Sequence, residues 1–225
     1  MRNLLFAVAA ALALTASGAS AASFTGTVST FGDTTGTGPW NLTSETTGTF
    51  SGVAITATSS TTFSELTDLN AVFQDIAGGA YGGSPRFSVG FVGSSNFLHI
   101  ALGTSPGFTD SDPALFTLGW SGTNVIGNSD AGRYDISQFG GSPFTDYAAT
   151  LAALGGLTIS EIDIVLDGGW GGNGRQELLA CNINVNGTSF GSGCAQDVDD
   201  VPTLPLMAAG MALGFLALRR KRAAA

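Results

Sequence analysis

Lysine is missing from the first 220 residues, histidine occurs once, as His99, cysteine occurs twice, and charged residues make up only 11% of the 225-residue chain. Each scarcity excludes something. With one histidine, any Ser-His-Asp or Cys-His mechanism must use His99, and a His/Cys metal cluster is ruled out by number. The basic residues are Arg2, Arg86, Arg133, Arg175 and the terminal Arg219, Arg220, Lys221 and Arg222, while all 17 acidic residues lie between Asp33 and Asp200. Residues 23–200 therefore carry a net charge of -14, which excludes a nucleic-acid partner, because phosphate binding needs clustered cations. A charged fraction under half the usual quarter, with 33 glycines and abundant Ser and Thr, argues against a helical bundle or coiled coil. It favours a loop-rich all-β protein.

What is present is divided into three parts. Residues 1–21 read as a signal peptide: Arg2 gives a positive start, Leu4 to Ala16 an apolar stretch, and Ala19-Ser20-Ala21 a small-residue cleavage site. The expected partners are the secretion machinery and a signal peptidase, with the mature chain starting at Ala22 or Ser23. Residues 201–225 begin with Val201-Pro202-Thr203-Leu204-Pro205, continue as an apolar run from Leu206 to Leu218 and end on Arg219-Arg220-Lys221-Arg222. Counted from Val201 the apolar stretch is 18 residues, roughly 27 Å as a helix against a hydrocarbon core of about 30 Å. The expectation is a marginal transmembrane helix whose basic cluster stays inside, leaving the acidic body outside the cytoplasm.

That order of parts resembles the PEP-CTERM class of bacterial sorting tails, in the variants whose motif reads Val-Pro-x-x-Pro, here Val201, Pro202 and Pro205. The chain departs from the commonest form in carrying Thr203 and Leu204 where that form has Glu after Pro. The resemblance implies recognition and cleavage near the proline motif by a membrane-embedded cysteine protease of the exosortase type. It also implies delivery to the cell envelope or cell surface, or release, in a Gram-negative bacterium that makes extracellular polysaccharide.

Residues 22–200 are expected to form one secreted domain. Residues 25–62 hold 14 threonines, which suit a glycosylated stalk or β-strands; Phe50, Val53, Ile55 and Ala57 recurring among them favour strands. Period-two alternation is clearer further on. Phe87, Val89 and Phe91 alternate with Ser88 and Gly90; Leu98, Ile100 and Leu102 oppose Phe97, His99 and Ala101; Ile162, Ile164 and Leu166 oppose Glu161, Asp163 and Val165. A last strand is read with Leu179, Cys181, Ile183 and Val185 on one face and Asn182, Asn184 and Asn186 on the other. Glycine pairs separate these runs, so the expected fold is an all-β, antiparallel, jelly-roll-like sandwich. One short connecting helix is expected over Asp146–Leu154, with Gly155-Gly156 as its stop. Leu66, Leu69, Val72, Phe73 and Ile76 fit a helical stripe, with strand or loop left open.

The order Gly82-Gly83-Ser84-Pro85-Arg86-Phe87, Leu102-Gly103-Thr104-Ser105-Pro106, Gly140-Gly141-Ser142-Pro143, Asp167-Gly168-Gly169-Trp170 and Cys181 to Gly187 resembles an uncharacterised secreted bacterial β-sandwich domain. These are mainly turn motifs and carry over no catalytic residues.

Candidate chemistry is sparse. Cys181 and Cys194, in an exported chain, are expected to form a disulfide closing a 14-residue loop, worth about 3 kcal/mol by loop entropy; the alternative is a buried free thiol at Cys181. Glu161 and Asp163 lie on one strand face about 6.5 to 7 Å apart, a spacing that overlaps an inverting glycosidase pair; the plainer reading is a solvated strand face. Asp110 and Asp112, and Asp197, Asp199 and Asp200, offer hard oxygen ligands for Ca²⁺ but lack the full loop signature. Trp40, Trp120 and Trp170, with Tyr81 and Tyr134, suit either a sugar-stacking platform or core packing. In the sugar reading Trp170 stacks and Asp167, Asn182 and Asn184 take hydroxyls. Two functional classes stay open: a non-catalytic surface or matrix protein that binds polysaccharide, and a secreted glycan-active hydrolase using paired carboxylates.

Overall fold

The computed structural model of the protein describes residues 23–45, 49–77, 84–102, 120–121, 124–127, 132–167 and 175–191. These residues build two antiparallel sheets. In the first, β1 (Gly26–Phe31), β4 (Phe50–Ala57), β10 (Ile159–Asp167), β6 (Arg86–Phe91), β7 (Phe97–Ala101) and β9 (Tyr134–Asp135) lie side by side in that order. The second runs β2 (Asp33–Thr35), β3 (Trp40–Ser44), β11 (Gln176–Val185), β5 (Leu69–Ala77) and β8 (Trp120–Ser121). A twelfth strand, β12 (Thr188–Gly191), folds back on β11 beyond the end of β3, so that both occupy the same flank of β11. Successive strands repeatedly cross from one sheet to the other, which brings residues far apart in sequence onto neighbouring strands.

The core lies between the sheets and is supplied by alternation. Val53 and Ile55, Phe87, Val89 and Phe91, Leu98 and Ile100, and Ile162, Ile164 and Leu166 are buried from the first sheet. Leu42, Leu69, Ala71, Phe73, Leu178, Ala180, Ile183 and Val185 meet them from the second. Trp40 and Tyr134 are also buried here, so of the two readings of these aromatics, core packing holds.

The structure settles two periodicities. Of the helical or extended alternatives for the stripe from Leu66 to Ile76, the extended one holds: Leu66 ends the turn at Phe63–Glu65, and from Leu69 the chain is β5, with Leu69, Ala71 and Phe73 inward at period two and Ile76 exposed. Pairing along β11 outweighs the weak helical spacing there. On β11 itself the expected row of Leu179, Cys181, Ile183 and Val185 is broken. Leu178 and Ala180 face the core, and a register shift between Ala180 and Ile183 moves the inward phase by one residue. Such a bulge reverses the face of every side chain after it.

The connecting helix is present as α1 (Tyr147–Leu154). The Asp146 carboxylate accepts the Ala149 amide at 2.8 Å, satisfying a free N–H of the first turn. Leu154 is buried, and Tyr147 packs its ring 6.1 Å from Phe63 and 5.8 Å from Tyr134, so α1 closes over the core beside the turn at Phe63–Glu65. Among the described residues no helix is long and apolar enough to cross a membrane; the expected span from Leu206 to Leu218 and the signal peptide lie outside them. No free cysteine occurs among the described residues. Cys181 is buried and disulfide-bonded, and Cys194 lies outside the described residues.

Candidate functional site

A groove of about 370 Å³ opens on the outer face of the first sheet, lined by Phe31, Phe50, Arg86, Ser88, Phe97, His99, Asp163, Val165 and Asp167. Its origin is visible in the strand register. Asp163, on central strand β10, is flanked across the sheet by Ala54 on one side and Ser88 on the other. Ser88 in turn faces His99, which faces Asp135. The rows above and below place Gly52 opposite both Val165 and Phe31, and Gly90 opposite both Glu161 and Phe97. Four small residues, Gly52, Ala54, Ser88 and Gly90, thus surround Asp163 and leave a depression.

Phenylalanine rings form the rims, and two of them lie on the glycines. A Cβ on Gly52 would sit 2.3 Å from Phe31 Cζ and 2.2 Å from the Ile164 carbonyl oxygen. A Cβ on Gly90 would meet Phe97 Cε1 at 3.1 Å and the Glu161 Cγ at 3.0 Å. Glycine is therefore required at residue 52 for close approach, whatever its backbone freedom. Phe50 stands beside Phe31, centroids 6.0 Å apart, with more than half its surface exposed. Phe97 stacks on the His99 ring at 6.5 Å with an interplanar angle of 7°. Replacing Gly52 by Ala should lower stability by about 1 to 3 kcal/mol through overpacking and displace the Phe31 rim. Urea unfolding, with Gly156→Ala as a control that meets nothing within 4 Å and has no positive φ, separates crowding from the general effect of replacing a glycine.

The polar floor is set by specific partners. Arg86 Nη2 lies 3.1 Å from Asp167 Oδ2, and the Asp167 amide donates to Ser84 Oγ at 2.7 Å. His99 has Ser88 Oγ 2.9 Å from Nδ1 and the Gln138 amide nitrogen 2.9 Å from Nε2. Gln138 cannot turn its amide over, because its Oε1 accepts the Phe97 amide at 2.9 Å. Its NH₂ therefore donates to His99 Nε2, and the neutral ring carries its proton on Nδ1, donating to Ser88. Burial, assisted by the Arg86 charge, lowers the His99 pKa below the ordinary value and favours that neutral ring. A serine nucleophile needs the reverse arrangement, an imidazole nitrogen accepting from its hydroxyl. Ser88 and His99 are within hydrogen-bonding distance, and with Nδ1 donating, the Ser88 hydroxyl proton points elsewhere.

Asp163 differs most from the sequence expectation. The solvated strand face anticipated for Glu161 and Asp163 does not form at residue 163, which keeps only 8% of its surface accessible. Its Oδ1 is buried without a hydrogen-bond partner. Burial, and secondarily the Glu161 charge, push its pKa up to about 7. Glu161 is not among the residues that line the groove.

Of the other residues singled out from sequence, Asp167 lies in this groove, whereas Asn182 and Asn184 belong to the second sheet and do not join it. Asn184 instead accepts the Gly187 amide at 2.9 Å and closes the turn between β11 and β12. Trp170, Asp110, Asp112, Asp197, Asp199 and Asp200 lie outside the described residues, among which no group of metal-ligating side chains occurs. Phe31, Phe50, Arg86, Ser88 and Phe97 were not anticipated as groove residues. Their signal was the outward phase of strands read only for their inward phase: large aromatics there, facing glycines, are what a grooved sheet surface requires.

The described residues thus define an antiparallel β-sandwich with an aromatic-rimmed, carboxylate-floored groove on one outer face. No protein-family model, no curated protein and no solved structure matches the chain.

Proposed function

We propose that the protein is an exported, non-catalytic component of the cell envelope or extracellular polysaccharide matrix that binds carbohydrate in the groove over Asp163. The observation that supports this reading is the combination of Phe31, Phe50 and Phe97 around Ser88, Arg86, Asp163 and Asp167. Phenyl faces pack on the C–H faces of a pyranose, while hydroxyl, carboxylate and guanidinium groups take its hydroxyls. The jelly-roll-like sandwich serves as a rigid frame for that surface. Export rests on residues 1–21, and sorting on Val201, Pro202 and Pro205, the apolar run and the basic cluster Arg219 to Arg222. The corresponding partners are signal peptidase, an exosortase-like enzyme and the membrane reached by the tail. A bridge from Cys181 to Cys194 belongs to the same reading, as the chain has no third cysteine.

The test is binding of the full chain, in mild detergent, to a panel of matrix polysaccharides and their oligomers. Binding that falls at least tenfold in Phe97→Ala supports the groove. A chain that binds no saccharide overturns the reading. Turnover of a polysaccharide that disappears in Asp163→Asn or Glu161→Gln replaces it with the glycan-active hydrolase.

A further inference from the structure

The charges in the groove do not balance. Arg86 is engaged by Asp167 at 3.1 Å, and His99 is held neutral between Ser88 and Gln138. The remaining charge-bearing group, Asp163, is more than nine-tenths buried, lines the groove, and has an Oδ1 with no donor. Its cross-strand neighbours are Ala54, which has no polar side chain, and Ser88, whose hydroxyl is not within hydrogen-bonding distance of the Asp163 carboxylate. A neutral ligand seated over this carboxyl would remove its remaining water and hold it in the protonated form, whereas a cationic donor would let it ionise as a paired anion.

Among the described residues there is no lysine to meet this carboxylate. The rims favour a cation independently of Asp163, because the faces of phenyl rings attract positive charge. A group satisfying both rim and floor therefore has a ring face to lie against phenylalanine and a positively charged donor to meet the carboxylate.

We propose that the groove is specific for amino sugars with a free primary amine, the ammonium pairing with Asp163 and the pyranose ring packing between the phenyl rims. The inference rests on the carbohydrate-binding reading above and narrows it to one ligand class. An N-acetylated sugar lacks the charge, and a neutral hexose lacks both the charge and the extra donors.

Titration calorimetry of the full chain at near-neutral pH and physiological salt, with four probes, tests this. The probes are a glucosamine hexamer, its fully N-acetylated form, a neutral glucose hexamer of the same linkage, and hexalysine. The expected result is at least tenfold tighter binding of the glucosamine hexamer than of either uncharged oligomer. That preference should vanish in Asp163→Asn, whose shape is nearly unchanged, while residual binding of the uncharged oligomers persists. If all three oligosaccharides bind alike, the amine specificity is wrong and the carbohydrate reading stands. A preference that survives Asp163→Asn also overturns the inference, because it then comes from the overall negative charge of the domain. Hexalysine binding as tightly as the glucosamine hexamer removes the sugar ring from the recognition. Failure of every oligosaccharide overturns both readings.

Discussion

Raising the pH from 4 to 8 should cost the folded protein about 4 kcal/mol at Asp163 alone, and Asp163→Asn should abolish that loss. The sign follows from linkage: the Asp163 pKa moves from 3.8 to about 7 on folding, so between those values the folded state holds a proton that the unfolded state has released. The contribution is fully present below pH 3.8 and is lost as pH rises through about 7, which at 1.36 kcal/mol per unit gives about 4 kcal/mol. The charged groups near Asp163 are Glu161 and Asp167 on its own strand, Arg86 on β6 and His99 on β7; neighbouring β4 sets Phe50, Gly52, Ala54 and Thr56 against this row and adds no charge. His99 acts in the opposite direction, since its lowered pKa gives stability that is lost as pH falls from 6.5. Comparing wild type with Asp163→Asn therefore isolates Asp163. Urea unfolding at pH 4 and pH 8 should find the two nearly equal at the lower pH and the variant more stable at the higher. Equal stabilities at both would show that Asp163 ionises as an ordinary carboxylate.

Phe87→Ala should be as damaging, by about 3 to 5 kcal/mol, through the cavity left in a core that relaxes only partly. Phe87 is fully buried on β6, with Ile164 opposite it on β10 and Ile100 opposite it on β7. Its two chain neighbours, Arg86 and Ser88, point the other way and line the groove, so loss of the ring loosens the strand that carries both. Phe50→Ala makes the contrast: that ring is 57% exposed, and its removal should change stability by less than about 1 kcal/mol while weakening saccharide binding. Denaturant midpoints and calorimetric affinities measured on both variants separate the two roles of phenylalanine. An unchanged midpoint for Phe87→Ala would contradict the packing described for the first sheet.

The inward half of this fold was legible because burial imposes a simple rule on each strand separately. Phe87, Val89, Ile162 and Ile164 reveal their phase to a reader of one segment at a time, and Asp146 announces a helix start by its own chemistry. The bulge after Ala180 was not legible, because nothing in Cys181-Asn182 distinguishes two consecutive residues that break the alternation from two that keep it. The groove was illegible for a different reason. Phe31, Gly52, Ser88, Phe97 and Asp163 meet only after five strands have been ordered and registered, and local pattern fixes neither. Asp163 looked solvated because alternation predicts which face a residue takes. It does not predict what the neighbouring strands build around that face.

The shared flank of β11 also has a mechanical meaning. β12 leaves the second sheet at Gly191, paired with Asn182 at the open end of its hairpin, while the groove lies on the first sheet. A polymer held in the groove and a tail held in the membrane would thus pull on opposite layers of the sandwich. Tension arriving through Gly191 would peel β12 from β11 pair by pair, the weakest way to load a ladder. Cys181 stands next to Asn182, at the mouth of that hairpin, so the proposed bridge to Cys194 carries the load past β12 directly into β11. That strand is gripped by β3 on one side and β5 on the other, and a pull on it is resisted by the whole sheet at once.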